Sequence, residues 1–424
     1  MTTRGGVLHA PADARAPEGG TPSSTRLPLV VYVLALGTFL MGTTEFVVAG
    51  LLPDIAGDLQ VSVAQTGLMI TVFAVGMIVG APLMAMLTLR LPTRLTLMLA
   101  LAVFAVGHVI VALGSSFTML LAARFLTAIA TGAFWAVANV AATRVAGPAA
   151  SARALGLVGA GAMLANVVGV PIGAFAGQLM GWRGPFWALA ALAAAAIVLI
   201  ARTVPHDGSA GQTVSVRSEL TALRSGRLWL VLAACATTTG GVLAAYSYIA
   251  PLLTDRSHLA SGLVPLVLVG FGVGALAGSL VGGRLGDGRP HAVTVTAAAG
   301  AALLLLAICL LADYAVATIA LITLLGFFGL GANPVLMALA VRYAAGAPTL
   351  ASALTVSAFN FGTAIGSWIA GLALGTGLAS TGPAVVGTAI AALTLLPATA
   401  LALRHHRGSD VGPRHADAAA AQQA

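Results

Sequence analysis

Almost the whole chain is divided into apolar runs of about 20 residues or more. That is the length at which a helix rising 1.5 Å per residue crosses the ~30 Å hydrocarbon core of a bilayer. The runs fall roughly at 28–52, 63–88, 95–113, 117–144, 154–179 and 184–202, then at 228–253, 262–284, 292–312, 315–343, 350–376 and 383–403. They do not alternate with period two, which excludes an outer-membrane barrel. Charged residues make up 8% of the chain and mean hydropathy is +1.01, against about 25% charged residues in a soluble domain. The expected fold is an all-α membrane protein with twelve transmembrane helices.

Loops between the runs are short, with one exception, RTVPHDGSAGQTVSVRSELTALRSGR at 202–227. It is polar and divides the runs into two groups of six. The predicted organisation is a disordered tail over 1–27, a six-helix bundle over 28–203, a linker over 204–227, a second six-helix bundle over 228–403 and a disordered tail over 404–424. The polar, Pro- and Gly-rich N-terminal segment does not read as a signal peptide. The halves show weak similarity at an offset of about 194 residues: Asn166 precedes Gly177 as Asn360 precedes Gly371. Two pseudo-symmetric, parallel six-helix repeats are a transporter architecture.

Every basic residue other than histidine is Arg. With both termini on one side, seventeen Arg fall on that side, Arg183 and Arg256 on the other, and Arg124 inside a run. Such an excess marks the cytoplasmic side. The net charge of +8 and the isoelectric point near 10.7 therefore reflect topology and not a nucleic-acid partner.

Glu45, in LALGTFLMGTTEFVVAGLLP, is an acid set well inside an apolar run. A carboxylate in hydrocarbon costs several kcal/mol unless paired or protonated. The common uses of such a residue are ion coupling and proton relay. Glu45 lies about seven residues before the outer end of the first run, and Arg124 about seven after the outer start of the fourth. Both are thus roughly 10 Å below the outer surface.

These residues resemble the major facilitator superfamily, and within it the twelve-span drug:proton antiporters. The resemblance spans 28–403. TTEFVVAGLLPDIAGDL (43–59) is close to sugar-efflux and chloramphenicol-efflux members, and AGAPTLASALTVSAFNFGTAIG (345–366) is similar to actinobacterial chloramphenicol exporters. ARFLTAIATG (123–132) matches the family's fourth-span Arg motif. GVPIGAFAGQLMGWR (169–183) matches its antiporter motif. The family's loop motif Gly-x-x-x-Asp-Arg-x-Gly-Arg is degraded between spans two and three, where Leu89 and Pro92 replace Asp and Gly while Arg90 and Arg94 remain. The second copy keeps Gly283 and Asp287 and ends at Arg289, which shifts the expected gate latch to Asp287.

The resemblance places spans one and four on the central cavity, so Glu45 and Arg124 could meet there. A neighbouring cation favours a charged carboxylate and apolar surroundings the neutral acid. A site balanced between the two can load and release a proton. Gly161, Ala165, Gly169, Gly173 and Gly177 form an i, i+4 row of small residues on span five, beside Pro171. Such a row admits a second helix closely, and the antiporter resemblance adds a role in sealing the two halves. Candidate substrate contacts are Phe134, Trp135, Asn139, Tyr246, Tyr248, Asn333 and Asn360. Packing is the competing reading of the aromatic residues, interface anchoring that of the two tyrosines, and interhelix hydrogen bonding that of the amides. His108, a lone His on span three, reads as structural.

Other chemistry is not supplied. GFGVGALAG (270–278) lies within an apolar run and is packing, not a nucleotide loop. Without Lys there is no Walker A loop. Cys235 and Cys309 sit in apolar runs as core residues. No metal site, cofactor or enzymatic activity is expected. The expected function is proton-coupled export of a small amphipathic compound, chloramphenicol or a similar antibiotic, by a monomer in the plasma membrane of a bacterium. The partners are a small-molecule substrate, protons and the lipid bilayer. Efflux of a sugar or other metabolite is the alternative, and a non-transporting receptor or scaffold a distant one. The charge pattern makes a direct prediction: single cysteines placed in 202–227 stay unreactive to an impermeant thiol reagent in intact cells. Labelling from outside would reverse the orientation.

Overall fold

The computed structural model describes residues 27–87, 91–147, 150–205, 224–344 and 347–409. Arg90, most of the 204–227 linker and most of both tails lie outside them. Among the described residues there is no strand, and twelve helices are long and apolar enough to cross a membrane. They are α1 (Leu29–Gly50), α2 (Val63–Met84), α3 (Thr93–Leu113), α4 (Phe117–Ala146), α5 (Arg153–Met180) and α6 (Gly184–Thr203), then α7 (Gly226–Ser247), α8 (Ser261–Gly288), α9 (Pro290–Leu311), α10 (Ala315–Tyr343), α11 (Leu350–Leu374) and α12 (Ala379–Arg404). A short helix, Leu52–Leu59, lies between α1 and α2.

Local chemistry sets many of the ends. Pro185 and Pro290 occupy the first turns of α6 and α9, where a missing N–H costs nothing. Gly147 and Gly181 stop α4 and α5 with φ of +72° and +77°, a region that glycine enters without penalty. Within α5, Pro171 cannot donate to the carbonyl four residues back. The chain accommodates it with a π-turn over Ala165–Gly169, in which Val170 N–H bonds the Ala165 carbonyl. In α10 the helix breaks at Ala332, just before Asn333 and Pro334.

The helices form two bundles with the same packing plan. In the first, α1 packs on α4, α5 and α6, α4 on α2 and α3, and α3 on α6. In the second, α7 packs on α10, α11 and α12, α10 on α8 and α9, and α9 on α12. The bundles meet through α2 with α11 and through α5 with α8.

Hydrogen bonds fix the register of the repeat. Thr38 of α1 donates to the Val158 carbonyl of α5 at 2.7 Å. Thr239 of α7 donates to the Phe359 carbonyl of α11 at 2.7 Å. A Cβ on Gly161 would strike the Ala35 carbonyl, and one on Gly362 the Ala236 carbonyl. Each residue of one set has its mate 201 positions along the chain in the other. This corrects the offset of about 194 expected from motif matching: Asn166 corresponds to Ser367, and not to Asn360. In the same register Tyr246 is the mate of Glu45.

The glycine row of α5 faces α1 of its own bundle. Cβ atoms at Gly161, Gly169, Gly173 and Gly177 would strike Ala35, Thr43, Val47 and Leu51 in turn. The second bundle meets a different face, where Gly272 of α8 lies against Asn166 and Val167 at the π-turn. The row therefore does not seal the two halves together, contrary to the expectation from the antiporter motif.

Contacts between bundles lie mainly towards the face away from the termini. Thr71 bonds Ser367 at 3.0 Å, and Gln178 donates to the Ser261 carbonyl at 2.7 Å. Ser357 donates to the Ile78 carbonyl at 3.1 Å, deeper along α2. Nearer the termini, a Cβ at Gly156, Gly159 or Gly283 would meet nothing within 4 Å. The far face holds both arginines that depart from the charge bias, and each is ion-paired. Arg183 meets Asp58 at 2.6 Å and Arg256 meets Asp313 at 2.9 Å. The hydrogen bond from Arg183 holds the exposed Asp58 carboxyl below the usual carboxylate range.

Gly173→Leu tests the α1–α5 contact. A side chain there overlaps Val47, and overpacking costs about 1–3 kcal/mol where the neighbour cannot yield. The variant is expected to insert in the membrane, as judged by detergent-extracted protein, and to lose transport. Full transport by the variant would refute the close contact.

Candidate functional site

The bundles enclose a cavity at their junction. Its wall includes Glu45 and Phe46 of α1, Phe73 of α2, Tyr246 and Ser247 of α7, and Asn360 of α11. The space open to a water molecule is only about 10 Å³, enough for a single water at most. A drug-sized ligand needs a pocket of roughly 300 Å³ or more. In this conformation the space beside the acid is too small for such a ligand.

Glu45 is half-buried on this wall. Arg124 of α4 lies buried behind it, near enough for the two charges to act on each other but outside ion-pairing distance, 4.0 Å. The guanidinium is held elsewhere. Nη1 donates to the Thr44 carbonyl at 3.0 Å and to its Oγ1 at 2.9 Å. Nε reaches the Met69 carbonyl at 3.5 Å, and the group sits 4.2 Å over the Phe73 ring. Nη2 has no hydrogen-bond partner. Glu45 and Arg124 thus come together in one layer of the bundle without touching.

His108 of α3 completes the network. Its Nε2 lies 2.7 Å from Thr44 Oγ1 and its Nδ1 2.7 Å from the Phe104 carbonyl. A carbonyl can only accept, so Nδ1 carries a proton. In the neutral ring Nε2 then accepts from the Thr44 hydroxyl. That hydroxyl's lone pairs remain for Arg124. The structural role expected for His108 takes this form, and Thr44 is the residue that the sequence analysis does not single out. The signal lay in TTEF: the hydroxyl one residue before Glu45 lies on an adjoining face of the helix, turned inward while the acid faces the cavity.

The other expected substrate contacts divide. Tyr246 and Asn360 line the cavity. Tyr246 stacks edge-on to Phe46, with centroids 6.1 Å apart. Asn360 spends its amide N–H on the Val356 carbonyl at 3.0 Å, and its buried Oδ1 has no partner. Trp135 Nε1 and Asn333 Oδ1 are likewise buried without partners, the latter at the break in α10. Asn139 is exposed.

Two expectations are corrected. Phe134 is fully buried against Gly37 in the core of the first bundle and has no surface to offer a substrate. Tyr248 is also buried. Its hydroxyl donates to the Ser367 carbonyl at 3.1 Å, and its ring is wedged between Gly67 of α2 and Gly371 of α11. It joins the two bundles on the far face and does not line the cavity.

Of the expected gate residues, Arg289 links α8 to α9 and is exposed. Asp287 is exposed and makes no hydrogen bond or ion pair among the described residues, so no latch is engaged there in this conformation. Arg94 lies in the first turn of α3 and has a partner. Among the described residues no cluster of His, Cys, Asp or Glu could hold a metal ion.

Comparison with known proteins agrees with this architecture. The sequence profile of the Major Facilitator Superfamily matches residues 34–287. The chain is 37% identical over 377 residues to a chloramphenicol resistance protein of Streptomyces lividans, covering 88% of this chain and 96% of that one. It is 33% identical over 363 residues to the inner membrane transport protein YdhP of Escherichia coli K12, covering 86% and 93%. A crystal structure of a bacterial homolog of the human lysosomal transporter Spinster, inward-facing and occupied, superimposes with a TM-score of 0.70 at 18% identity. It covers 92% of this chain and 98% of its own. With twelve membrane-length helices among its described residues, in two repeated bundles, the chain is a multi-pass transporter belonging to the Major Facilitator Superfamily.

Proposed function

We propose that this transporter exports a small amphipathic compound in exchange for protons, and that chloramphenicol or a similar neutral aromatic antibiotic is among its substrates. The observation that carries the reading is the placement of Glu45. Its carboxyl lines the cavity between the bundles, while the nearest buried cation is occupied by Thr44. An acid there meets water when the bundles part and apolar walls when they close. Those surroundings act in opposite senses on its charge, so one side chain can take up a proton on one face and release it on the other. The relative from Streptomyces lividans supports the substrate class. Asn360, Tyr246 and Ser247 offer hydrogen bonds across the cavity from Glu45, and Phe46, Phe73 and Tyr246 offer aromatic faces. Trp135, Asn139 and Asn333 are proposed to join them once the bundles separate. The arginine bias supports an orientation with both termini in the cytoplasm of a bacterium, and the proposed working unit is a monomer.

Two measurements test the reading. Expression in an efflux-deficient host is expected to lower accumulation of labelled chloramphenicol, and a protonophore to abolish the effect. Unchanged accumulation would discard the antibiotic and favour a sugar or other metabolite. Glu45→Gln, which mimics the protonated acid, is expected to keep drug binding and lose export driven by a pH gradient. Proton release on drug addition to solubilised protein that persists undiminished in Glu45→Gln would place the coupling proton elsewhere.

A further inference from the structure

We propose that His108 is a positioning residue for the coupling site: through the Thr44 hydroxyl it holds the Arg124 guanidinium back from Glu45. For its consequence in transport this rests on the proton-coupled reading of Glu45. The geometry runs in one direction. His108 Nδ1–H donates to the Phe104 carbonyl, which turns Nε2 into an acceptor. Thr44 Oγ1 gives its proton to Nε2 and is left as an acceptor for Arg124 Nη1. Hydrogen bonds in such a chain polarise one another. The neighbouring Thr44 carbonyl takes a second bond from the same nitrogen. Arg124 is thereby fixed on the residue beside Glu45, and its unpartnered Nη2 remains available.

The surroundings leave few competitors. The ring of His108 is stacked on Phe104 at 4.0 Å and lies 5.9 Å from Phe186 of α6. Around this imidazole α6 supplies an aromatic ring, α4 the cation Arg124, and α1 the Thr44 hydroxyl. Removing the Nε2 acceptor frees the Thr44 hydroxyl to turn, and the guanidinium loses its directed acceptor. Nη1 and Nη2 can then both swing to the carboxylate. A guanidinium in contact with a carboxylate favours its charged form, by about one to three pH units.

The test is an infrared pH titration of the carboxyl band of Glu45 in purified protein, the band being identified by its loss in Glu45→Gln. His108→Leu and the isosteric Thr44→Val are both expected to move the midpoint to lower pH by about one to three units. The double variant is expected to move it no further, as for residues acting through one contact. Thr44→Ser, which keeps the hydroxyl, is expected to keep the wild-type midpoint. If His108→Leu does not yield folded protein, Thr44→Val carries the comparison, since it preserves shape. A wild-type midpoint in Thr44→Val would overturn the proposal and leave His108 a packing residue. The titration needs no substrate, so its failure is distinct from that of the export reading. Export that persists in Glu45→Gln beside a shifted midpoint in Thr44→Val would remove the coupling role and leave the positioning intact.

Discussion

A guanidinium buried between apolar helices has to be solvated by the protein itself. Leaving a buried charge without partners costs several kcal/mol, and Arg124 meets that demand from three directions. Its acceptors are the Thr44 carbonyl and hydroxyl on α1 and the Met69 carbonyl on α2, with the Phe73 face beneath it. The Thr44 hydroxyl is in turn oriented by His108 on α3. Four helices of the first bundle are thus fixed to one another at a single polar node. Glu45 is the group this node leaves on the cavity wall. The second bundle, built in the same register, carries Tyr246 at the matching position. At the cavity the charged groups, Glu45 and the buried Arg124 behind it, come from the first bundle, and the second offers neutral polar groups across the same space.

Two kinds of contact hold the helices together, close packing of small residues and single polar bonds. Helices in lipid gain little from the hydrophobic effect and associate through close packing of small residues. Within each bundle that packing is intimate: the glycine row of α5 lies along α1, and Gly362 and Gly366 lie against the α7 backbone. Between bundles the contacts run mainly along two helix pairs, α2 with α11 and α5 with α8, and include single polar bonds, Thr71 with Ser367, Gln178 with Ser261 and Ser357 with Ile78. Such bonds exchange readily with water at about 0.5–1.5 kcal/mol each. The π-turn at Asn166 and Val167 against Gly272 is the other crossing point.

The helix count among the described residues, the charge bias and the setting of Glu45 inside an apolar span were legible in the sequence because each rests on a local cost of placing charge or backbone in hydrocarbon. The direction of the α5 row was not legible. An i, i+4 stripe announces a close neighbour without naming it, and here the neighbour is α1. Phe134 and Tyr248 were misplaced for a related reason. An aromatic residue on a cavity-lining helix can face the core as easily as the cavity, and only the glycine opposite it, Gly37 or Gly67, decides. Thr44 and the partners of His108 were not legible because a hydrogen-bonded node is assembled from four helices and leaves no periodic trace in any one of them.

On the proposed reading, coupling needs no separate wire between proton and drug. Glu45 comes from one bundle and Asn360 and Tyr246 from the other, and they share a space that now admits at most one water. A ligand large enough to touch both walls can enter only when the bundles part, and parting them also brings water to the carboxyl. Drug occupancy and proton occupancy are then set by the same rigid-body displacement. Each biases the other through its own preference for the open or closed arrangement, which is all that linkage between two sites requires. The polar node behind Glu45 belongs wholly to the first bundle and moves with it. Arg124 therefore keeps its place relative to the acid through the cycle, and the change at the coupling site comes from the wall opposite.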